Sequence, residues 1–170
     1  MTEIERPMPA LNTDERATLE GWLDFHRATL AMKCQGVDDI QAATASTPPS
    51  LFTLTGLVQH MAEVERNWFR RILAGEDAPP IHDPQADPEG PDGGFDVAPG
   101  ATLAEAFTTW RTEIEHARRN CAARELTDTG RFMGQEVNLR WIYVHMIEEY
   151  ARHNGHADLI RERIDGVTGV

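Results

Sequence analysis

The sequence is poor in cysteine, lysine and long apolar runs, and each shortage removes a class of protein. Two cysteines in 170 residues, Cys34 and Cys121, build no disulfide framework. Lys33 is the single lysine beside fifteen arginines, a bias that suggests GC-rich coding and says nothing about fold. Basic charge is scarce overall. Sixteen Lys and Arg face 28 Asp and Glu, for a net charge of −12. That balance argues against nucleic acid, which needs a basic face, and against an anionic membrane surface. No apolar stretch approaches the roughly 20 residues that span a bilayer. The opening MTEIERPMPALNTDER has no basic segment followed by an apolar one, so no secretory signal is expected. A cytoplasmic protein is the expectation. Alternating strand patterns are also lacking.

What is present is helical periodicity. Apolar residues make up 41% of the chain, enough for one domain over residues 1–170. The first helix is predicted over 13–34, with Asn12 and Glu15 as a capping box and Leu19, Trp22, Leu23, Leu30 and Met32 mostly on one side. Residues 36–50 read as a linker. The second helix is predicted over 53–73, where Leu54, Leu57, Met61, Val64, Trp68 and Ile72 repeat at three and four before Gly75. The third covers 102–124, opened by Thr102 and Glu105 as a second capping box. Residues 125–137 read as a loop. The fourth helix covers 139–164, capped by Asn138 and ended at Gly166. Core and interface packing is the expected role of Trp22, Trp68, Trp110 and Trp141, one on each helix. Between the second and third helices, residues 76–100 form an acidic crossover. Its stretch 76–99 holds seven acidic residues, no basic one and six of the ten prolines, which neither a helix nor a central strand tolerates. The fold class is therefore all-α, a four-helix bundle with one long crossover.

The histidines carry the chemistry. His26, His82 and His116 read as ordinary surface or boundary residues. His60 lies on or beside the apolar stripe of the second helix, between Leu57 and Val64, where an imidazole needs a partner. On the last helix His145, Glu149, His153 and His156 are spaced by four, four and three, so they share one face. Apolar neighbours Trp141, Ile142, Met146 and Ile147 oppose turning that face to water. Placing the two helices side by side brings His60 to this stripe, so that two His and one carboxylate converge inside the bundle. Two His and one carboxylate with open positions suit catalytic zinc, and also iron, nickel or manganese. Spacing alone leaves two pairings open, Glu149 with His153 or His145 with Glu149. Glu63 is a candidate support for a ligand, beside the plainer reading of a solvated helix face.

The segments GWLDFHRATLAMK, LTGLVQHMAEVERNWF and LRWIYVHMIEEYARHNGHADLIRERIDG resemble the DinB-like superfamily, which includes mycothiol-dependent maleylpyruvate isomerase. Within it the chain is most similar to an actinobacterial subfamily of unknown function. The resemblance covers nearly the whole chain. It implies up-down-down-up topology and one divalent metal held by His60, Glu149 and His153. His153-Asn154-Gly155-His156 matches a His-polar-Gly-Gln run, with His156 where Gln is usual. Glu149 stands where many members carry the first His of the pair, as in the maleylpyruvate isomerase branch. His145, His156 and Arg152 become supporting or substrate-facing candidates.

The resemblance further implies a small-molecule S-transferase or isomerase with mycothiol as cosubstrate, and a homodimer. Zinc is favoured over nickel or iron. A non-catalytic metal-binding stress or sensing protein is the alternative, as is a small-molecule metallohydrolase or oxygenase.

Overall fold

The computed structural model describes residues 4–82 and 93–169. Four long helices carry the architecture. They are α1 (Glu15–Lys33), α3 (Leu54–Glu65) with a π-helical continuation (Arg66–Leu73), α4 (Leu103–Ala122) and α5 (Leu139–Asp165). A short α2 (Asp39–Ala42) lies between α1 and α3, and strands β1 (Thr129–Phe132) and β2 (Gln135–Asn138) precede α5. Residues 83–92 of the acidic crossover, with Asp83, Asp87, Glu89, Asp92 and three of its prolines, lie outside the described residues.

Cross-helix pairs give the directions. Glu15 meets Arg140 near the start of α1, and Lys33 meets Asp158 at its end, so α1 and α5 run parallel. Arg66 and Arg70 reach Glu113, and the Phe69 carbonyl accepts from Asn120, so the second long helix and α4 also run parallel. Arg16 at the start of α1 donates to the carbonyls of Cys121 and Arg124 at the end of α4, so those two oppose. The result is up-down-down-up, as the resemblance implies, with the crossover joining the two parallel middle helices. Leu30, Leu54, Leu57, Val58, Met61, Phe69, Leu139, Ile142 and Met146 are fully buried between them.

One polar network crosses that core and draws on every long helix. Arg27 of α1 places two guanidinium bonds of 2.8 Å on the Glu65 carboxylate of α3. The Tyr150 hydroxyl of α5 donates to Glu65 at 2.7 Å and accepts from the Trp110 indole of α4 at 2.7 Å. All four residues are buried. Burial opposes the charge on Arg27, but Glu65 outweighs it and the guanidinium stays protonated. Burial and then the Glu65 charge push the Tyr150 hydroxyl well up, so it remains a donor.

The caps at Thr102 and Asn138 stand where the sequence places them, Thr53 caps α3, and Gly166 adopts φ 79° after α5. Three expectations are corrected. Asp14, not Asn12, caps α1, because its carboxylate accepts from Ala17 N at 2.9 Å and Glu15 is free to pair with Arg140. The 36–50 linker contains α2, closed by a capping box of Asp38 and Gln41. The 125–137 loop contains an antiparallel hairpin, turned by Met133 and Gly134, both at positive φ. Trp68 and Trp110 pack in the core, whereas Trp22 and Trp141 are partly exposed.

Gly130 seats the hairpin on the bundle. A Cβ there would lie 2.1 Å from the Ile72 carbonyl oxygen and 2.9 Å from Leu73 Cα. Both partners are backbone, so neither yields by a rotamer change. Gly130→Ala is expected to cost about 1–3 kcal/mol and lower Tm by roughly 3–10 °C. Thermal unfolding followed by circular dichroism checks this; an unchanged Tm would mean the hairpin is not anchored there.

Candidate metal centre

The middle of α3 faces the middle of α5. His60 projects from α3 and is joined by Glu149 and His153, one turn apart on α5. One donor atom from each of the three lies within 4.8 Å of the others. His145, Glu148 and Glu149 form a second such group, sharing Glu149. The shared carboxylate sits between two imidazoles: Oε2 is 3.4 Å from His153 Nε2 and Oε1 is 3.6 Å from His145 Nε2. His153 is buried, whereas His60 and Glu149 keep partial access to solvent.

The surroundings set which atoms are free to bind. His60 Nδ1 lies 2.8 Å from the carbonyl oxygen of Gly93. A carbonyl only accepts, so Nδ1 carries the proton and the Nε2 lone pair is left for a ligand. His153 Nδ1 is 3.4 Å from His156 Nδ1, a contact that braces the second imidazole. Burial pushes the His60 pKa down to about 4, against the raising effect of the Gly93 carbonyl. The His153 hydrogen bond holds Glu149 below the ordinary carboxylate range despite partial burial. At neutral pH His60 is thus neutral and Glu149 ionised, the forms that bind a cation without first losing a proton. This donor set fits a divalent cation.

Phe95 forms one wall. Its ring stacks on His60 at 4.0 Å between centroids and on Phe52 at 4.5 Å. Phe52 also meets His156 edge-on at 5.2 Å. The segment carrying Phe95 comes from the end of the crossover and is pinned to α3. The Gln59 amide donates to the carbonyls of Gly94 and Asp96. Gly56 permits the approach, since a Cβ there would stand 2.4 Å from Phe95 O. At the other end of the described crossover, Glu63 Oε2 accepts from the backbone N–H of Ile81 at 2.6 Å and His82 at 3.3 Å.

The candidate residues therefore separate. His60, Glu149 and His153 are brought together, with His145 beside Glu149 and His156 beside His153. Glu63 holds the crossover backbone. Arg152 turns outward to an ion pair with Glu148. Gly93, Phe95 and Phe52 contribute to the site although the sequence reading did not single them out. The Gly93-Gly94 doublet, a turn signal followed by an aromatic residue, was the available cue.

In metal-free protein the displaced His60 pKa makes stability pH-dependent. An unfolded His titrates near 6.5, and the folded one near 4. Between those values the unfolded chain binds the extra proton, so this contribution is complete above about 6.5 and falls away toward about 4. Glu149 and His153 face the same imidazole, so His60→Gln is the specific control. Denaturant titrations of metal-free protein at pH 7 and pH 5 are expected to show a smaller loss in the variant. An equal loss would contradict the burial of a neutral His60.

A parallel-pair helical bundle with an interhelical His, Glu and His donor set is the class these features define. Residues 18–166 match the mycothiol-S-transferase family, within the DinB-like superfamily, and the chain belongs to that family. No curated protein matches the chain. Family and donor set agree with a metal- and thiol-linked transferase or isomerase activity on a small molecule. Among the described residues, no helix is long and apolar enough to cross a membrane.

Proposed function

We propose that the protein joins mycothiol to a small electrophile at a divalent metal held by His60, Glu149 and His153, with zinc the favoured ion. The observation that carries this reading is the His60 tautomer. Gly93 O occupies the Nδ1 proton, leaving Nε2 for the shared space with Glu149 and His153. Three protein donors leave positions open, as catalytic rather than structural zinc sites do. A cation in that set supplies positive charge that lowers the pKa of a nearby thiol.

The chain's own residues do the rest. Glu149 contributes the single negative charge of the set, so a divalent cation held there would keep net positive charge toward a thiol. Gly93 and His156 hold the orientations of His60 and His153. Phe52 and Phe95 cover one flank and reduce its access to water. The thiol proton goes to solvent, the sulfur electron pair forms the bond to an electrophilic carbon, and the bond from that carbon to the leaving group breaks with its pair on the leaving group.

The test uses purified protein stripped with chelator and then reloaded with zinc, nickel or iron. Mycothiol and a panel of electrophiles are added, and thioether formation is followed by mass spectrometry. Conjugation above the uncatalysed rate is expected only in reloaded protein. Equal rates with and without metal, or no conjugation across the panel, would refute the proposal.

A further inference from the structure

An aromatic surface runs from the hairpin to Glu149. Trp68, held on the π-helical segment, is its buried backing. Phe132 of β1 lies 4.9 Å from Trp68 between ring centroids, and Trp141 of α5 lies 5.4 Å from it. His145 stacks on Trp141 at 5.1 Å with only 14° between the planes, and meets Trp68 edge-on at 4.4 Å. The far side of His145 is the Glu149 carboxylate, 3.6 Å from Nε2. The strip therefore ends at the candidate metal centre. Phe132 and Trp141 also border a cavity of about 410 Å³ between the hairpin and the start of α5, within the range of small-molecule sites. Trp141 is 48% exposed, Phe132 38% and Met133 85%, so apolar surface faces solvent where the bundle does not need it.

We infer that this cavity and strip bind the electrophilic substrate, and that its class is a flat, uncharged, electron-poor ring. This inference rests on the thiol-transfer reading of the metal centre. Flatness follows from the ring walls, since stacked and edge-on aromatic faces complement a planar π-system. The absence of charge follows from the lining. Among the described residues, Glu136 is the one charged side chain bordering the cavity, and Glu148 and Glu149 follow along the strip. An anion in the cavity would find no cationic side chain in its lining and would meet the Glu136 carboxylate. A protein–protein seam is the less favoured occupant, because the surface is concave and Trp141 at its border stacks on His145, the neighbour of Glu149. In the reaction, the thiol sulfur gives its electron pair to a ring carbon and the S–C bond forms. The carbon–halide bond breaks with its pair on the departing halide, and the thiol proton goes to solvent.

The test separates binding from chemistry. The unreactive 1,3-dinitrobenzene is titrated by calorimetry into zinc-loaded wild type, Trp141→Ala, Phe132→Ala and Met133→Asp, with Trp22→Ala as the control on α1. Kd is expected to rise about tenfold in the first two variants and to stay unchanged in the control. Met133 is exposed, so its variant keeps the question answerable should Trp141→Ala not fold. In the thiol reaction, 1-chloro-2,4-dinitrobenzene should lose a similar factor in kcat/KM in those variants, while small aliphatic iodoacetamide should not. The anionic 4-chloro-3,5-dinitrobenzoate should react at least about tenfold less well than its uncharged counterpart. Unchanged dinitrobenzene affinity in the variants would overturn the inference, as would a wild-type dimer that dissociates on Trp141→Ala. Ring binding without any thiol conjugation would instead refute the thiol-transfer reading and leave the ring site standing. Iodoacetamide conjugation without ring binding would do the reverse.

Discussion

His60→Ala and His153→Ala are each expected to abolish metal binding at the proposed centre. Zinc-finger peptides bind zinc with about 10–16 kcal/mol through four ligands, so one ligand carries roughly 3 kcal/mol. That is a loss of about 100–1000-fold in affinity per substitution. Protein purified with excess zinc and then dialysed should contain about one zinc per chain as wild type and almost none as either variant. His156→Ala is expected to weaken binding less, by about 10–100-fold, because it touches His153 rather than the shared donor space. His145→Ala distinguishes the two donor groups that share Glu149. If zinc is lost in His145→Ala and retained in His60→Ala, the centre lies one turn earlier on α5 and the assignment is wrong.

The second large effect lies in the core. Glu65→Ala leaves Arg27 buried with its charge uncompensated and removes the acceptor of the Tyr150 hydroxyl. Breaking one partner of such a pair costs about 3–5 kcal/mol. For a chain of this length that lowers Tm by roughly 6–20 °C. Arg27→Met combined with Glu65→Met should recover much of the loss, since replacing both charges removes the unpaired one. Thermal unfolding of the single and double variants provides the check. A single variant as stable as wild type would mean that water reaches Arg27. The network also matters for the site, because Tyr150 is the residue after Glu149. Its bond to Glu65 fixes the rotation of α5 that turns Glu149 and His153 toward His60.

Helix positions were legible because apolar spacing and caps agree. Leu54, Leu57 and Met61 repeat with the helical period behind the Thr53 cap, and the same holds for Leu103, Trp110 and Ile114 behind Thr102. The π-helical turns at Arg66–Leu73 were not legible, since Val64, Trp68 and Ile72 keep a spacing that an α-helix would also give. The hairpin was missed for a different reason. In β1 the single buried residue is Gly130, so no apolar alternation marks the strand. His60, Glu149 and His153 could be singled out because imidazoles and a carboxylate on apolar faces demand partners. Gly93 and Phe95 were marked only by the glycine doublet, because an acidic, proline-rich tract otherwise reads as solvated chain until a carbonyl is seen on His60 Nδ1. Trp141 was hidden because packing is the ordinary role of an aromatic residue, and Phe132 because it falls in the stretch read as a loop.

The central claim is that this metal centre binds and activates a thiol, and calorimetric titration of mycothiol addresses it directly. Titrations of zinc-loaded and metal-free protein are run at pH 7 in two buffers of different ionisation enthalpy. Binding to the loaded protein with release of about one proton, absent in the metal-free protein and in His153→Ala, is the predicted result, because only a thiol that binds as thiolate gives up its proton. Binding of equal strength to both forms, or binding without proton release, would contradict the account.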